Sequence, residues 1–298
     1  MKKCLVTGGA GFIGSNLVDH LLENGYQVRV VDAECANSHD YYFWNPLAEN
    51  YKFDINPNNL DRLVKLCEDV DYVFHLASDV SISFCIENPA ETYLNNICCT
   101  TIVLEAARLA HVEKVVFSST AAIYGLTDKV CVESDQPDPL NSYSVSKLSG
   151  EHLMKMYSDL YGVNTVTLRY FNVYGPRQPK TGQYAPVMGI FLKQRAEGKS
   201  LTVVGDGLQT RDFINVSDIA SANLTVAEKD APTYGEVYNI GTGRELSVRA
   251  IAEMISDDIV HIPPRPAEAR KSLADTSKIE SVYGWKAKIK LEDWISEQ

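Results

Sequence analysis

Tyr143 and Lys147 stand four residues apart in Asn141-Ser142-Tyr143-Ser144-Val145-Ser146-Lys147, and Asn141 or Ser142 can cap a helix that carries both on one face. A phenol titrates near 10, roughly, and an adjacent ammonium favours the phenolate, which makes tyrosine usable for proton transfer near neutral pH. Such a pair also occurs on ordinary solvent-facing helices. Its chemical reading rests on Ser118-Ser119-Thr120, which follows the apolar run Val115-Val116-Phe117 and so lies at the carboxyl end of a strand. A hydroxyl there can hold a substrate oxygen.

A second group of residues suits an anion. Gly8, Gly11 and Gly14 follow the short apolar run at residues 3 to 6 and precede Leu17, Val18, Leu21 and Leu22 at helical spacing. Glycines at such a turn let the backbone approach a pyrophosphate, and the helix behind them offers unpaired N–H groups and a positive dipole end. The spacing departs from Gly-x-Gly-x-x-Gly. Asp32 ends the second strand, where a carboxylate accepts hydrogen bonds from an adenosine ribose and repels a 2′-phosphate, so NAD is favoured over NADP.

The elements that must position these residues alternate. Strands are expected at Val28 to Val31 and near 72 to 75, 114 to 118 and 165 to 169, with helices over roughly 60 to 68, 92 to 110 and 144 to 161. This rhythm predicts an α/β protein: a Rossmann doubly wound parallel sheet covered on both faces, its ligand beyond the carboxyl ends of the strands. After Gly175-Pro176 the pattern changes to a loop rich in Pro, Gly and Gln, a helix around 187 to 197 and a short strand at 201 to 204. The expected division is a cofactor-binding Rossmann domain over 1–172, rejoined by about 210–242 through a helix at 217 to 228 and a strand at Val237 to Ile240. A smaller substrate-binding lobe then comprises 173–209 and 243–298.

The 298 residues carry 28 Lys plus Arg against 39 Asp plus Glu, a net charge of −11 without a basic run, which leaves no footprint for nucleic acid. No stretch approaches the ~18 apolar residues of a membrane span and no signal-peptide core precedes the glycines, so a cytoplasmic location is expected. The seven cysteines, an odd number without Cys-x-x-Cys, fit reduced thiols, and the scattered histidines give no metal spacing.

Together these residues resemble the extended short-chain dehydrogenase/reductase family and, within it, the nucleotide-sugar 4-epimerases. The likeness runs over nearly the whole chain, through Thr7-Gly8-Gly9-Ala10-Gly11-Phe12-Ile13-Gly14, His75-Leu76-Ala77-Ser78, Ser118 to Gly125, Tyr143 to Lys147 and Arg169 to Arg177. It implies that Gly8, Gly11 and Gly14 contact the NAD pyrophosphate, Asp32 the ribose, and Asp54 and Ile55 the adenine edge. Leu76, Ala77 and Asn95 would line the rest of the path, with Phe12, Ile13, Ser118, Tyr143, Lys147 and Tyr170 as further cofactor contacts. Thr120, Tyr143 and Lys147 become the catalytic set. For a UDP-sugar, the resemblance implies Asn172, Arg211 and Arg265 at the diphosphate, a guanidinium fork suiting paired phosphate oxygens.

Related 4,6-dehydratases carry an Asp-Glu pair after the threonine, where this chain has Ala121 and Ala122, so elimination lacks its acid and base. The expected reaction is 4-epimerisation through a 4-keto sugar, with Tyr143 as acid and base and Lys147 depressing its pKa. In Arg265 to Asp275, Ser272 falls where UDP-glucose and UDP-galactose enzymes place a tyrosine, leaving room for an N-acetyl group, and Glu268 replaces an aspartate of the relatives. UDP-N-acetylglucosamine and UDP-N-acetylgalactosamine are therefore the expected pair, ahead of UDP-glucose and UDP-galactose. The alternatives are a 4-ketoreductase or dehydratase of the same family, or a non-catalytic NAD-binding protein. The resemblance also implies a homodimer, through helices near 92 to 110 and 146 to 161. It assigns no individual role in the loop Asp79-Val80-Ser81-Ile82-Ser83-Phe84.

Overall fold

The computed structural model describes residues 1–35, 41–180, 186–264 and 269–298. The sheet strands are β1 (Lys3–Thr7), β2 (Gln27–Asp32), β3 (Glu49–Lys52), β4 (Tyr72–His75), β5 (Lys114–Thr120), β6 (Thr165–Tyr170) and β7 (Glu236–Ile240). They form one seven-stranded sheet in the order β7-β6-β5-β4-β1-β2-β3, and every pairing is parallel. This is the Rossmann-like doubly wound sheet expected from the alternation. The order reverses between β1 and β4, and a crevice opens outside the carboxyl ends of strands at such a reversal.

Both faces are covered, as a sheet of buried parallel strands requires. On one face α1 (Phe12–Glu23) buries Leu17, Val18 and Leu21 together with Ile219, Ala222 and Val226 of the helix Val216–Glu228. On the other, α2 (Leu60–Cys67), α3 (Cys99–Leu109) and α4 (Ser142–Tyr161) bury Leu63, Val103 and Met154 against Leu5, Val73 and Val115. A smaller core gathers Tyr174, Phe191, Leu201, Val203, Phe213 and Ile251. It lies around the helix Val187–Ala196 and the paired strands Leu201–Val204 and Ile259–Ile262.

Three features differ from the periodicity reading. Strand β3 was not foreseen: Glu49-Asn50-Tyr51-Lys52 is polar and mostly exposed, and it is a strand because it pairs in register with Arg29 to Asp32. The helix expected over 92 to 110 is composite, with Pro89–Tyr93 followed by a π-helical turn, Leu94–Cys98, before α3. Such single wide turns recur at functional positions. Ahead of it, Ser81 caps a short helix, Ile82–Glu87, through a bond from Phe84 N.

Candidate active site

Asn141 is the cap of α4. Its Oδ1 accepts from Ser144 N at 2.9 Å, and Ser144 Oγ accepts from Asn141 N at 3.2 Å, a reciprocal pair that fixes the first turn. Tyr143 and Lys147 then project from one face towards the end of β5. Lys147 is buried, and its Nζ donates to the Ser118 carbonyl at 2.9 Å while lying 5.0 Å from the Phe117 ring centroid. Burial lowers its pKa to about 8. Packing raises the Tyr143 phenol to about 12, with the facing Thr120 hydroxyl pulling the other way.

The ammonium is engaged by the Ser118 carbonyl, so spacing on one helix face does not by itself point the amine at the phenol.

Gly8, with φ +68°, turns the chain out of β1, and a Cβ there would lie 2.7 Å from Ala77 N. A Cβ on Gly14 would lie 2.1 Å from the Gly8 carbonyl oxygen. Both close approaches require glycine. The α1 cap, Gly11, brings no side chain to its own helix, and the first turn holds no acidic residue, so the positive helix end is open to an anion. Asp32 accepts from Ala10 N at 3.0 Å and from Glu34 N at 2.8 Å, which fixes its carboxylate at the end of β2. These observations fit a dinucleotide.

One cavity of about 550 Å³ joins these parts. Gly8, Gly11, Phe12, Ile13, Gly14, Asp32, Asp54, Ile55, Leu76, Ala77, Asn95, Ser118 and Tyr170 all line it, together with Thr120, Tyr143 and Lys147. Asn172, Arg211 and Ser272 are not among its walls, although Phe171 and Val173, which flank Asn172, are. The structure nevertheless brings those three together around Asp212. Asn172 Nδ2 donates to the Asp212 carbonyl at 3.0 Å, and the Ser272 backbone brackets Arg211 through Thr210 O and Asp212 N at 3.1 and 2.7 Å. The Arg211 guanidinium donates to Thr210 O at 2.9 Å. Arg265 and Glu268 lie outside the described residues.

Sequence reasoning missed several neighbours of the site. Asp212 is fully buried and accepts from Thr242 N, Thr242 Oγ1 and Gly243 N at 2.8, 2.7 and 3.0 Å, tying three segments beside Asn172. Glu151, one turn beyond Lys147, pairs with Arg169 in the core and accepts from Ser119, next to Thr120. Asp79 lines the cavity as a buried carboxyl. The four-residue step from Lys147 to Glu151 was a local signal for the second. The others depend on contacts across tens of residues. Among the described residues, no helix is long and apolar enough to cross a membrane, and no group of three or more His, Cys, Asp or Glu is placed to hold a metal ion.

The model of the NAD dependent epimerase/dehydratase family matches residues 4–241. The chain is 38% identical over 299 residues to a putative UDP-glucose 4-epimerase of Methanocaldococcus jannaschii, covering 98% of this chain and 95% of that one. Its fold matches the UDP-glucose 4-epimerase of Thermotoga maritima solved with UDP-glucose, with a TM-score of 0.90, 36% identity and coverage of 98% and 96%. It likewise matches the UDP-N-acetylglucosamine 4-epimerase of Methanobrevibacter ruminantium solved with UDP-N-acetylmuramic acid, with a TM-score of 0.91, 34% identity and coverage of 99% and 96%. A glycine loop built for a dinucleotide, a tyrosine and lysine opening into the same cavity and a family match spanning the sheet lead to one conclusion: the chain belongs to the NAD dependent epimerase/dehydratase family.

Proposed function

We propose that this chain is an NAD-dependent 4-epimerase of UDP-hexoses, with UDP-N-acetylglucosamine and UDP-N-acetylgalactosamine as the preferred pair. The observation that carries this reading is the single cavity lined by the glycine loop, Asp32, Thr120, Tyr143 and Lys147. Gly8, Gly11, Phe12, Ile13 and Gly14 would hold the cofactor diphosphate, Asp32 the adenosine ribose, and Asp54 and Ile55 the adenine. Leu76, Ala77, Asn95, Ser118 and Tyr170 complete the cofactor walls. Bound NAD supplies the hydride acceptor and donor for sugar C4.

Tyr143 takes the proton of the 4-hydroxyl and returns it to the 4-oxygen once the 4-keto sugar has turned over, so that C4 is reduced on its opposite face. With its pKa pushed up to about 12, the phenolate is rare near neutral pH, so its formation is tied to binding at the cavity. Thr120, facing Tyr143, hydrogen-bonds the reacting oxygen, and Lys147, anchored on Ser118, presents its ammonium to the nicotinamide ribose. Ala121 and Ala122 follow Thr120 without a titratable group, which speaks against a dehydratase. The UDP diphosphate is assigned to Asn172, Arg211 and Arg265, and the lobe formed by 173–209 and 243–298 to the nucleotide sugar, with Glu268 and Ser272 beside the hexose. The cofactor belongs to 1–172 and 210–242.

A homodimer is part of the same reading, since Leu94, Leu109, Leu160 and Tyr161 expose apolar surface on the helices expected to meet a second copy. A cytoplasmic location accords with seven free cysteines. The test is incubation of the purified protein with UDP-N-acetylglucosamine and, separately, with UDP-glucose, the 4-epimer being followed by NMR. Formation of UDP-N-acetylgalactosamine is expected. Conversion of UDP-glucose alone would refute the substrate preference and keep the reaction. No product from either sugar, even with NAD added, would refute epimerisation of these substrates.

A further inference from the structure

The segment after β4 abuts the glycine loop, because a Cβ on Gly8 would come within 2.7 Å of Ala77 N and 3.0 Å of the Leu76 carbonyl carbon. Asp79 ends that segment. It is 8% exposed and lines the cavity. The π-helical turn holds it in place. Asn96 Oδ1 accepts from Asp79 N at 2.7 Å, while Asn96 Nδ2 donates to Asp79 O at 3.1 Å and to Ser146 Oγ at 2.9 Å, beside Lys147. Asn95 Nδ2 donates to the carboxyl Oδ2 at 2.8 Å, and Oδ1 accepts no hydrogen bond among the described residues.

The charges around this carboxyl do not neutralise it. Asp54 faces it from the segment after β3, Cys35 from the segment after β2 and Cys85 from the helix Ile82–Glu87. Burial raises the Asp79 pKa, Asn95 lowers it, and the Asp54 charge adds to the rise. Lys147 is the one cation among the described residues lining the cavity, and its ammonium is held by Ser118 O. A diphosphate entering here therefore meets the carboxylates of Asp32, Asp54 and Asp79 against one ammonium. Asp32 and Asp54 each accept from neighbouring groups, Ala10 N and Glu34 N for the first and Asn56 Nδ2 for the second. Asp79 alone of the three belongs to the segment that abuts the glycine loop.

We propose that Asp79 governs how tightly this chain retains its dinucleotide: ionised, its carboxylate opposes the cofactor diphosphate in the shared cavity, and protonated, it donates a hydrogen bond there. The proposal rests on NAD as cofactor and goes beyond the reaction assigned above, since it concerns retention rather than turnover. It places cofactor exchange under the control of one side chain and of pH.

The experiment is calorimetric titration of the whole protein, freed of bound nucleotide, with NAD, ADP-ribose and adenosine at pH 8 and pH 5.5, for the native chain and Asp79→Asn. At pH 8 the variant should bind NAD and ADP-ribose about tenfold more tightly, a shift in keeping with one charge removed from a partly buried site. Adenosine, which lacks phosphate, should bind both proteins equally. The native chain should bind NAD more tightly relative to adenosine at pH 5.5 than at pH 8, a comparison that needs no variant should Asp79→Asn not fold. Equal or weaker NAD binding by Asp79→Asn, an equal shift for adenosine, or a native ratio of NAD to adenosine affinity that does not change between the two pH values would overturn the proposal. Native protein that binds adenosine and NAD at neither pH would instead overturn the cofactor assignment, and the role of Asp79 with it.

Discussion

Glu151→Ala should be among the most damaging single substitutions in the chain, although the residue is not itself among those lining the cavity. The Glu151 and Arg169 side chains are each 4% exposed, and the guanidinium meets the carboxylate in a fork, Nε to Oε1 at 2.9 Å and Nη2 to Oε2 at 2.7 Å. Arg169 Nη1 also donates to the Tyr124 hydroxyl at 2.8 Å, which donates in turn to Asn239 Oδ1 at 2.7 Å. Removing the carboxylate leaves a buried guanidinium without counter-charge and takes from Ser119 its acceptor. Breaking such a pair costs about 3–5 kcal/mol. With an unfolding entropy of about 2.1 cal/mol/K per residue over 298 residues, that loss lowers Tm by roughly 5–8 °C. Replacing both partners in Glu151→Leu/Arg169→Met removes the unpaired charge, and its stability should lie within about 1 kcal/mol of the native chain. Urea unfolding of the three proteins measures both quantities. A loss below about 1 kcal/mol for Glu151→Ala, or a double variant as unstable as the single one, would refute the reasoning. The single variant should also turn over more slowly, because Ser119 lies beside Thr120, and the comparison of kcat with KM reads that displacement.

Gly14→Ala should weaken NAD binding by at least tenfold, since the new Cβ would sit 2.1 Å from Gly8 O and both atoms belong to the loop offered to the diphosphate; overpacking of this kind costs about 1–3 kcal/mol, and calorimetry reads it as affinity. For Lys147 the folded pKa of about 8 lies below the ordinary 10.5, so the unfolded chain binds more protons between those values and stability should rise with pH across that window. Lys147→Met should lose this rise in denaturation series at pH 7 to 10, and an unchanged slope would exclude Lys147 as its source. Ser272→Tyr should reduce turnover of UDP-N-acetylglucosamine about 10- to 200-fold relative to UDP-glucose, the range by which pocket size discriminates substrates, and equal effects on the two sugars would remove Ser272 from the specificity argument.

Much of the architecture follows from local rules that the sequence carries alone. The run before Gly8, the helical spacing of Leu17, Val18 and Leu21, and the Asn141 cap each act within a few residues, so strand, turn and helix are legible where they stand. The buried parallel strands carry apolar runs such as Val73-Phe74 and Val115-Val116-Phe117, which makes the sheet readable, whereas Glu49–Lys52 is an edge strand whose pairing with β2, and not its own composition, makes it extended. The glycine, tyrosine and lysine positions were legible for a similar reason: chemistry that needs close backbone approach or a fixed helical step leaves a local pattern.

What the tertiary structure alone decided is which distant groups share a dielectric environment. Asn95 and Asn96 reach Asp79 from a π-helical turn, and Arg169 meets Glu151 where β6 lies beside β5 under α4. Asp212 joins Thr242 and Gly243, thirty residues on, through bonds no spacing rule foretells. The direction of the Lys147 ammonium, towards Ser118 O, was likewise set by where α4 docks on β5. Local sequence dictates backbone conformation because steric and hydrogen-bonding preferences act over a few residues. The charge state and reach of a buried side chain depend on burial and on neighbours brought by the fold, and those exist only once the sheet has closed over its helices.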